Sequence, residues 1–182
     1  MFDFTGHPLA SLNIFKYLKY GATAPLAIDT IPEIDEHIII TNHKFAHIFE
    51  DWKRSQSYLK PITIVDDGTE TNETRLGAVC DLLYAIGKLN INDDLLVVAA
   101  DNLLFFSFRE FVDFAKEKNS SCIMCHNQPS IAKLQRTGVV VLDEDDKVVD
   151  MEEKPQKPKS HWAVPPFYIY KKAAVSYTHL RA

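Results

Sequence analysis

Asp94-Leu-Leu-Val-Val-Ala-Ala-Asp-Asn102 is the stretch on which the fold turns. From Leu95 to Ala100 it is apolar without a break, and no polar residue alternates with the apolar ones. A run of that kind fits a strand covered on both faces, as in a parallel sheet with helices on either side. It stops at a carboxylate, Asp101. Ligands of open α/β sheets sit beyond the carboxyl ends of the strands, so Asp101 and Asn102 carry a functional expectation from position alone.

Further strands and helices alternate around it. Glu36–Thr41 holds His-Ile-Ile-Ile and Pro61–Val65 reads Pro-Ile-Thr-Ile-Val, two short β-branched strands. Ser121–His126 is a fourth. Helical spacing appears in Leu9–Tyr20 (Leu12, Phe15, Leu18) and in Lys44–Ser55 (Phe45, Ile48, Phe49, Trp52). It recurs in Arg75–Leu89 (Val79, Leu82, Leu83, Ile86) and in Phe108–Lys118. After Pro129 the pattern changes. Gly138–Leu142 and Val148–Met151 read as a hairpin over the acidic turn Asp143–Asp146. Gln156–Ser160 is a Lys/Pro-rich loop, and Trp162–Tyr170 is a last strand. This order predicts an α/β fold, a three-layer α/β/α sandwich with a mostly parallel mixed sheet and no internal boundary.

Composition narrows the function. The 182 residues include 46% hydrophobic and 25% charged residues with net charge −5, which excludes disorder as the main state. The same charge argues against a nucleic-acid partner, since no basic excess meets phosphate. No run of about 18 apolar residues offers a membrane span. Met1–Gly6 lacks a secretory pattern, and three cysteines make an odd set for a disulfide framework, so a reducing cytoplasm is expected.

Several residues carry two readings each. Asp101 either holds a hard cation such as Mg2+ through oxygen or makes an ordinary Asp-Asn turn. Glu152-Glu153-Lys154-Pro155 either directs a Lys charge at a phosphate or is a solvated strand end. Asp67–Gly77 either reads a base or simply enters a helix capped by Asn72 or Thr74. Cys122-Ile-Met-Cys125 has zinc or redox spacing, but it lies in an apolar run without a second pair, which favours buried strand cysteines. His43 and His47 stand four apart on a helix without a metalloprotease Glu, and read as surface or packing residues. No Gly-x-Gly-x-x-Gly, Walker A or Gly-x-Ser-x-Gly motif occurs.

Three elements in this order resemble the sugar-1-phosphate nucleotidyltransferases of the glucose-1-phosphate thymidylyltransferase type. Asp67-Gly68 with Asn72-Glu-Thr-Arg-Leu-Gly-Ala78 is similar to the family's base-facing segment. Asp94–Asn102 is similar to its metal-binding strand end. Gly138-Val-Val-Val-Leu-Asp-Glu-Asp with Met151-Glu-Glu-Lys-Pro155 is similar to its sugar-phosphate region. The resemblance covers roughly Ile31 to Lys172. It implies a Rossmann-like nucleotidyltransferase domain that joins a nucleoside triphosphate to a sugar-1-phosphate and releases pyrophosphate. Asp101 would bind the catalytic Mg2+, Lys154 the sugar phosphate and Glu153 the sugar hydroxyls. Gly138 would let the sugar approach the backbone. Arg75, Gly77 and Asn102 would contact the nucleotide. A homo-oligomer is compatible with it.

Met1–Gly21 holds none of the family's opening strand and Gly-x-Gly-Thr-Arg loop; Thr5-Gly-His-Pro-Leu9 is similar to the segment that follows that loop. A second metal ligand, expected beyond Lys172, is missing. Ala100 replaces the usual Gly, and Pro165-Pro166 replaces Thr-Gly. The expectation is therefore a domain incomplete at both ends, lacking the sheet's central strand. Val175-Ser-Tyr-Thr-His-Leu-Arg-Ala182 resembles a translated transposon-library sequencing adapter, so 1–174 is read as native partial domain and 175–182 as read-through. Two other functions compete: an inactive nucleotidyltransferase-like sensor or partner subunit, and a zinc or thiol protein built on Cys122 and Cys125.

Overall fold

A computed structural model describes residues 9–14, 28–99 and 106–179. The elements run β1 (Leu9–Ile14), β2 (Ile34–Thr41), α1 (His43–Arg54), β3 (Ile62–Asp66), α2 (Ala78–Leu89), β4 (Asp94–Ala99), α3 (Arg109–Lys118) and β5 (Cys122–Ile123). They continue with β6 (His126–Asn127), α4 (Ile131–Leu134), β7 (Gly138–Leu142), β8 (Val148–Glu153), β9 (Trp162–Val164), β10 (Phe167–Tyr170) and α5 (Lys172–His179). Where the sequence suggested no internal boundary, contacts divide the chain into two compact units. One is Met1–Cys122 with Tyr168–Ala182, and the other is Ile123–Phe167.

The first unit is built on the sheet β3-β2-β1-β4-β10-β5. β2 pairs in parallel with β3 and β1, and β1 in parallel with β4. Successive residues of β2 explain the layers. Ile38 and Ile40 pack with Ala85 and Ile86 of α2, together with Val65, Leu95 and Val97. Ile39, between them, packs with Phe49 of α1 and with Ile62, Phe45 and Trp52. Adjacent side chains of a strand point to opposite faces, so both faces are covered and the run can be apolar throughout.

Four expectations change. Ser121–His126, read as one strand, is two, β5 and β6, which belong to different sheets. Leu9–Ile14, read as the start of a helix, is a strand at the sheet's centre, so that slot is filled in this chain. Between β2 and β4 its backbone finds hydrogen-bond partners on both sides, which outweighs a helical spacing of three apolar residues. The helix read from Arg75 starts at Ala78, after Gly77 at φ +89, and Val79 in its first turn is exposed. Trp162–Tyr170 divides at Pro165-Pro166 into β9 and β10, which belong to different sheets. Proline has no amide to give a ladder, so a double proline ends the strand.

A buried pair ties the approach of β2 to the approach of β3. His37 Nε2 lies 3.0 Å from Asp29 Oδ1, and Asp29 accepts the amides of Leu59 (2.8 Å) and Lys60 (3.1 Å). Burial, opposed by Asp29, holds the His37 pKa below its ordinary 6.5. Asp29 lies below 3.8: burial works to raise it, but the Leu59 amide and His37 prevail. The unfolded chain therefore takes up a proton at His37 just below pH 6.5 that the folded chain refuses, and stability falls as pH drops through that window. Asp29 adds a further loss as pH falls from 3.8 through its depressed value. Thermal melts of the native chain from neutral to mildly acid pH are expected to show this decline. His37→Gln is expected to flatten its upper part; an equal slope in both proteins removes the assignment.

Asp94, at the start of β4, accepts the Lys172 amide at 2.7 Å and pairs with Lys171, which sets a carboxylate at the first turn of α5. Val175 of that helix is buried against the core of the first unit, although it opens the segment read as non-native.

The second unit is the antiparallel sheet β6-β9-β7-β8, with Leu134, Val139 and Ala163 as its core. Asp143 closes the β7–β8 turn by accepting the amides of Asp145 (3.0 Å) and Lys147 (2.9 Å). This is the acidic hairpin expected from the sequence.

Candidate functional site

Register assembles the sugar-phosphate candidates within the second unit. Gly138 stands opposite Glu153 on one side and Val164 on the other. Directly paired residues share a face, so the next row on that face is Val140, Met151 and Trp162. The opposite face carries Val139, Glu152 and Ala163, and it holds the core. The alternation also separates the two glutamates. Glu152 takes part in the Lys159 ion pairs (3.3 Å, with Asp150 at 2.7 Å), whereas Glu153 shares the side of Gly138.

On that side Glu153, Met151 and Trp162 are exposed, whereas Gly138, Val140 and Val164 are buried. A Cβ on Gly138 would meet Glu153 Oε2 at 3.3 Å, Val164 Cβ at 3.5 Å and the Met151 methyl at 3.6 Å. A side chain there would fill the space beside the Glu153 carboxylate.

Lys154 follows at φ +49, a left-handed conformation that costs about 1–2 kcal/mol for a residue with a Cβ. Its amide donates to Thr137 O at 3.0 Å, and the buried Pro155 comes next. Its ammonium lies 3.5 Å from Glu153 Oε1, with the two side chains 64% and 65% exposed. An ion pair that open contributes little to stability and leaves both groups free for a ligand. Backbone strain held at a charged, exposed residue is a signature of functional sites. Sequence alone gave no sign of this strain.

The base-facing candidates belong to the first unit. β3 ends at Asp66, whose Oδ1 accepts the Gly68 amide at 2.8 Å. Asp67 Oδ1 accepts the Thr69 amide and hydroxyl, each at 2.7 Å. Thr71 and Thr74 close the next turn through their hydroxyls. Neither Asn72 nor Thr74 caps α2; Gly77 holds that position without a side-chain bond. A Cβ on Gly77 would meet nothing within 4 Å, so its φ of +89, not crowding, is what calls for glycine. Arg75 is exposed. Asn42 caps α1, accepting the Phe45 amide at 3.2 Å.

One residue escaped the sequence reading. His43 Nδ1 lies 2.6 Å from Asp66 Oδ2, which joins a histidine read as surface to the loop. Its place directly after an N-cap Asn was the available signal.

Asp101 and Asn102 lie outside the described residues. Among the described residues, no group of three His, Cys, Asp or Glu is placed to hold a metal. The cysteines point elsewhere. Burial pushes both thiols up, the reverse of a reactive thiolate, and both are only half-buried. Among the described residues, no helix is long and apolar enough to cross a membrane.

A parallel sheet covered on both faces, together with a separate antiparallel sheet, makes this an α/β protein. The comparisons make this specific: the Nucleotidyl transferase family model matches residues 25–181, and the chain belongs to that family. A glucose-1-phosphate adenylyltransferase from Clostridium novyi is 26% identical over 147 residues, 79% of this chain and 38% of the relative. A glucose-1-phosphate thymidylyltransferase from Neisseria meningitidis is 34% identical over 96 residues, 52% of this chain and 33% of the relative. This chain thus spans well under half the length of these curated relatives. A crystal structure of a Bacillus anthracis protein assigned as a glucose-1-phosphate thymidylyltransferase, in complex with a sucrose, has the same fold. It gives a TM-score of 0.62 at 18% identity, covering 94% of this chain and 74% of that one.

Proposed function

We propose that the protein to which this chain belongs transfers a nucleoside monophosphate from a nucleoside triphosphate to a sugar-1-phosphate, with release of pyrophosphate. The observation that carries this is the pairing of Gly138 with Glu153 beside the strained, exposed Lys154 in a member of this family. The sugar-phosphate oxygen attacks the α-phosphorus in line, and the pyrophosphate oxygen leaves.

Lys154 holds the sugar phosphate as a directed charge, and Glu153 accepts hydrogen bonds from sugar hydroxyls. The missing side chain of Gly138 leaves room for the ring. Arg75 and Gly77 face the base, and Asn102 faces the nucleotide. Asp101 holds a divalent cation, Mg2+ in this reading, which when bound neutralises charge on the triphosphate. In this reading residues 1–174 form a partial nucleotidyltransferase domain and 175–182 are not native to it.

Isothermal titration tests the pairing of substrates. Binding of sugar-1-phosphate, with free sugar at least about tenfold weaker, is expected because the phosphate contact is charge-assisted. Equal affinity for free sugar contradicts the role given to Lys154.

A further inference from the structure

His43 is the first residue of α1, and it grips the loop after β3 twice. Its amide donates to Thr69 O at 2.9 Å, and its imidazole Nδ1 meets Asp66 Oδ2 at 2.6 Å. The other oxygen of Asp66 takes the Gly68 amide, and the Asp67 amide donates to Thr41 O at 3.0 Å. One residue therefore staples both ends of the turn Asp66–Thr69, whose Gly68 stands at φ +76. From Thr69 the chain runs directly through the Thr71–Thr74 turn to Arg75 and Gly77.

We propose that His43 is a positioning residue for the nucleotide: its clamp on Asp66 and Thr69 holds the base-facing segment Asp67–Ala78 in its binding shape. The inference rests on the reading of that segment as base-facing. His43 touches no reacting atom, so its removal acts on nucleotide affinity and leaves turnover alone.

The clamp is charge-dependent. From the loop, Asp66 and Glu70 favour the imidazolium. Desolvation opposes it, and Lys88 of α2, whose Nζ donates to Asp66 O at 3.1 Å, and the neighbouring Lys44 are cations of the surrounding elements. His47 lies one turn further along α1. The hydrogen bond to Asp66 prevails, and the imidazole titrates above its ordinary 6.5. The ion pair is therefore complete below pH 6.5 and is lost as pH rises through the raised value.

The test measures the Kd of Mg2+-nucleoside triphosphate, for each common base, with the native chain, His43→Ala and His43→Gln. It covers about pH 6 to 9, the range in which a histidine of raised pKa changes charge. Amide hydrogen exchange at Gly68 is followed on the same proteins without ligand. Expected for His43→Ala is a Kd raised about two- to fivefold, the scale of an exposed ion pair, with faster exchange at the Gly68 amide that Asp66 holds and unchanged kcat. The native Kd rises with pH, whereas His43→Gln, a hydrogen-bond donor that does not titrate, stays flat. Unchanged Kd and exchange in His43→Ala, or the same pH slope in the native chain and His43→Gln, overturns the proposal. A native chain that binds no triphosphate at any pH overturns the functional reading and the nucleotide role of His43 together. Exchange at Gly68 then still decides whether the clamp exists.

Discussion

Lys154→Ala is expected to lower kcat/KM for sugar-1-phosphate by about a hundred- to a thousandfold and to leave the protein folded. The size is that of removing a charge-assisted contact that binds and orients the attacking phosphate. The fold survives because the ammonium is exposed and its contact in this structure is the 3.5 Å pair with Glu153. Lys154→Gly separates the charge from the backbone. It loses the same activity, yet it relieves the φ of +49 and raises stability by about 1 kcal/mol. Lys154→Arg keeps the charge and restores part of the activity. Activity within a few-fold of native in Lys154→Ala means that the sugar phosphate is held by another group.

Asp101→Asn is the second large effect. The substitution preserves size and removes the charge, so under the proposed assignment the carboxylate–cation contact would be lost. The expected loss is roughly a thousandfold in kcat/KM, corresponding to several kcal/mol of charge stabilisation. Triphosphate binding becomes insensitive to added Mg2+. Unchanged affinity for Mg2+ and for nucleotide in this variant moves the metal site away from Asp101.

What could be read from the sequence follows the strength of local signals. The unbroken Leu95–Ala100 run forced a strand covered on both faces, and Ile38, Ile39 and Ile40 divide between the two layers as that demands. The Asp143–Asp146 turn was legible because its side chain closes it locally. Leu9–Ile14 was not, since its state is set by two neighbouring strands distant in sequence. Pro165-Pro166 was seen as a substitution in the resemblance, but its consequence is topological: it sends β9 and β10 to different sheets.

In the candidate site, Gly138, Glu153 and Lys154 were named through the family resemblance, and their common face became visible only with the strand register. The split between Glu152 and Glu153 needed the position of Lys159. The left-handed Lys154 and the His43–Asp66 contact depend on backbone angles and on a partner 23 residues away, which no spacing rule reports.

The most direct measurement is pyrophosphate release by the purified chain with Mg2+, glucose-1-phosphate and each common nucleoside triphosphate in turn, with circular dichroism on the same sample. The proposed chemistry requires release that depends on both substrates and on the cation, with one triphosphate preferred. A folded chain that releases no pyrophosphate with any triphosphate contradicts nucleotidyl transfer by these residues.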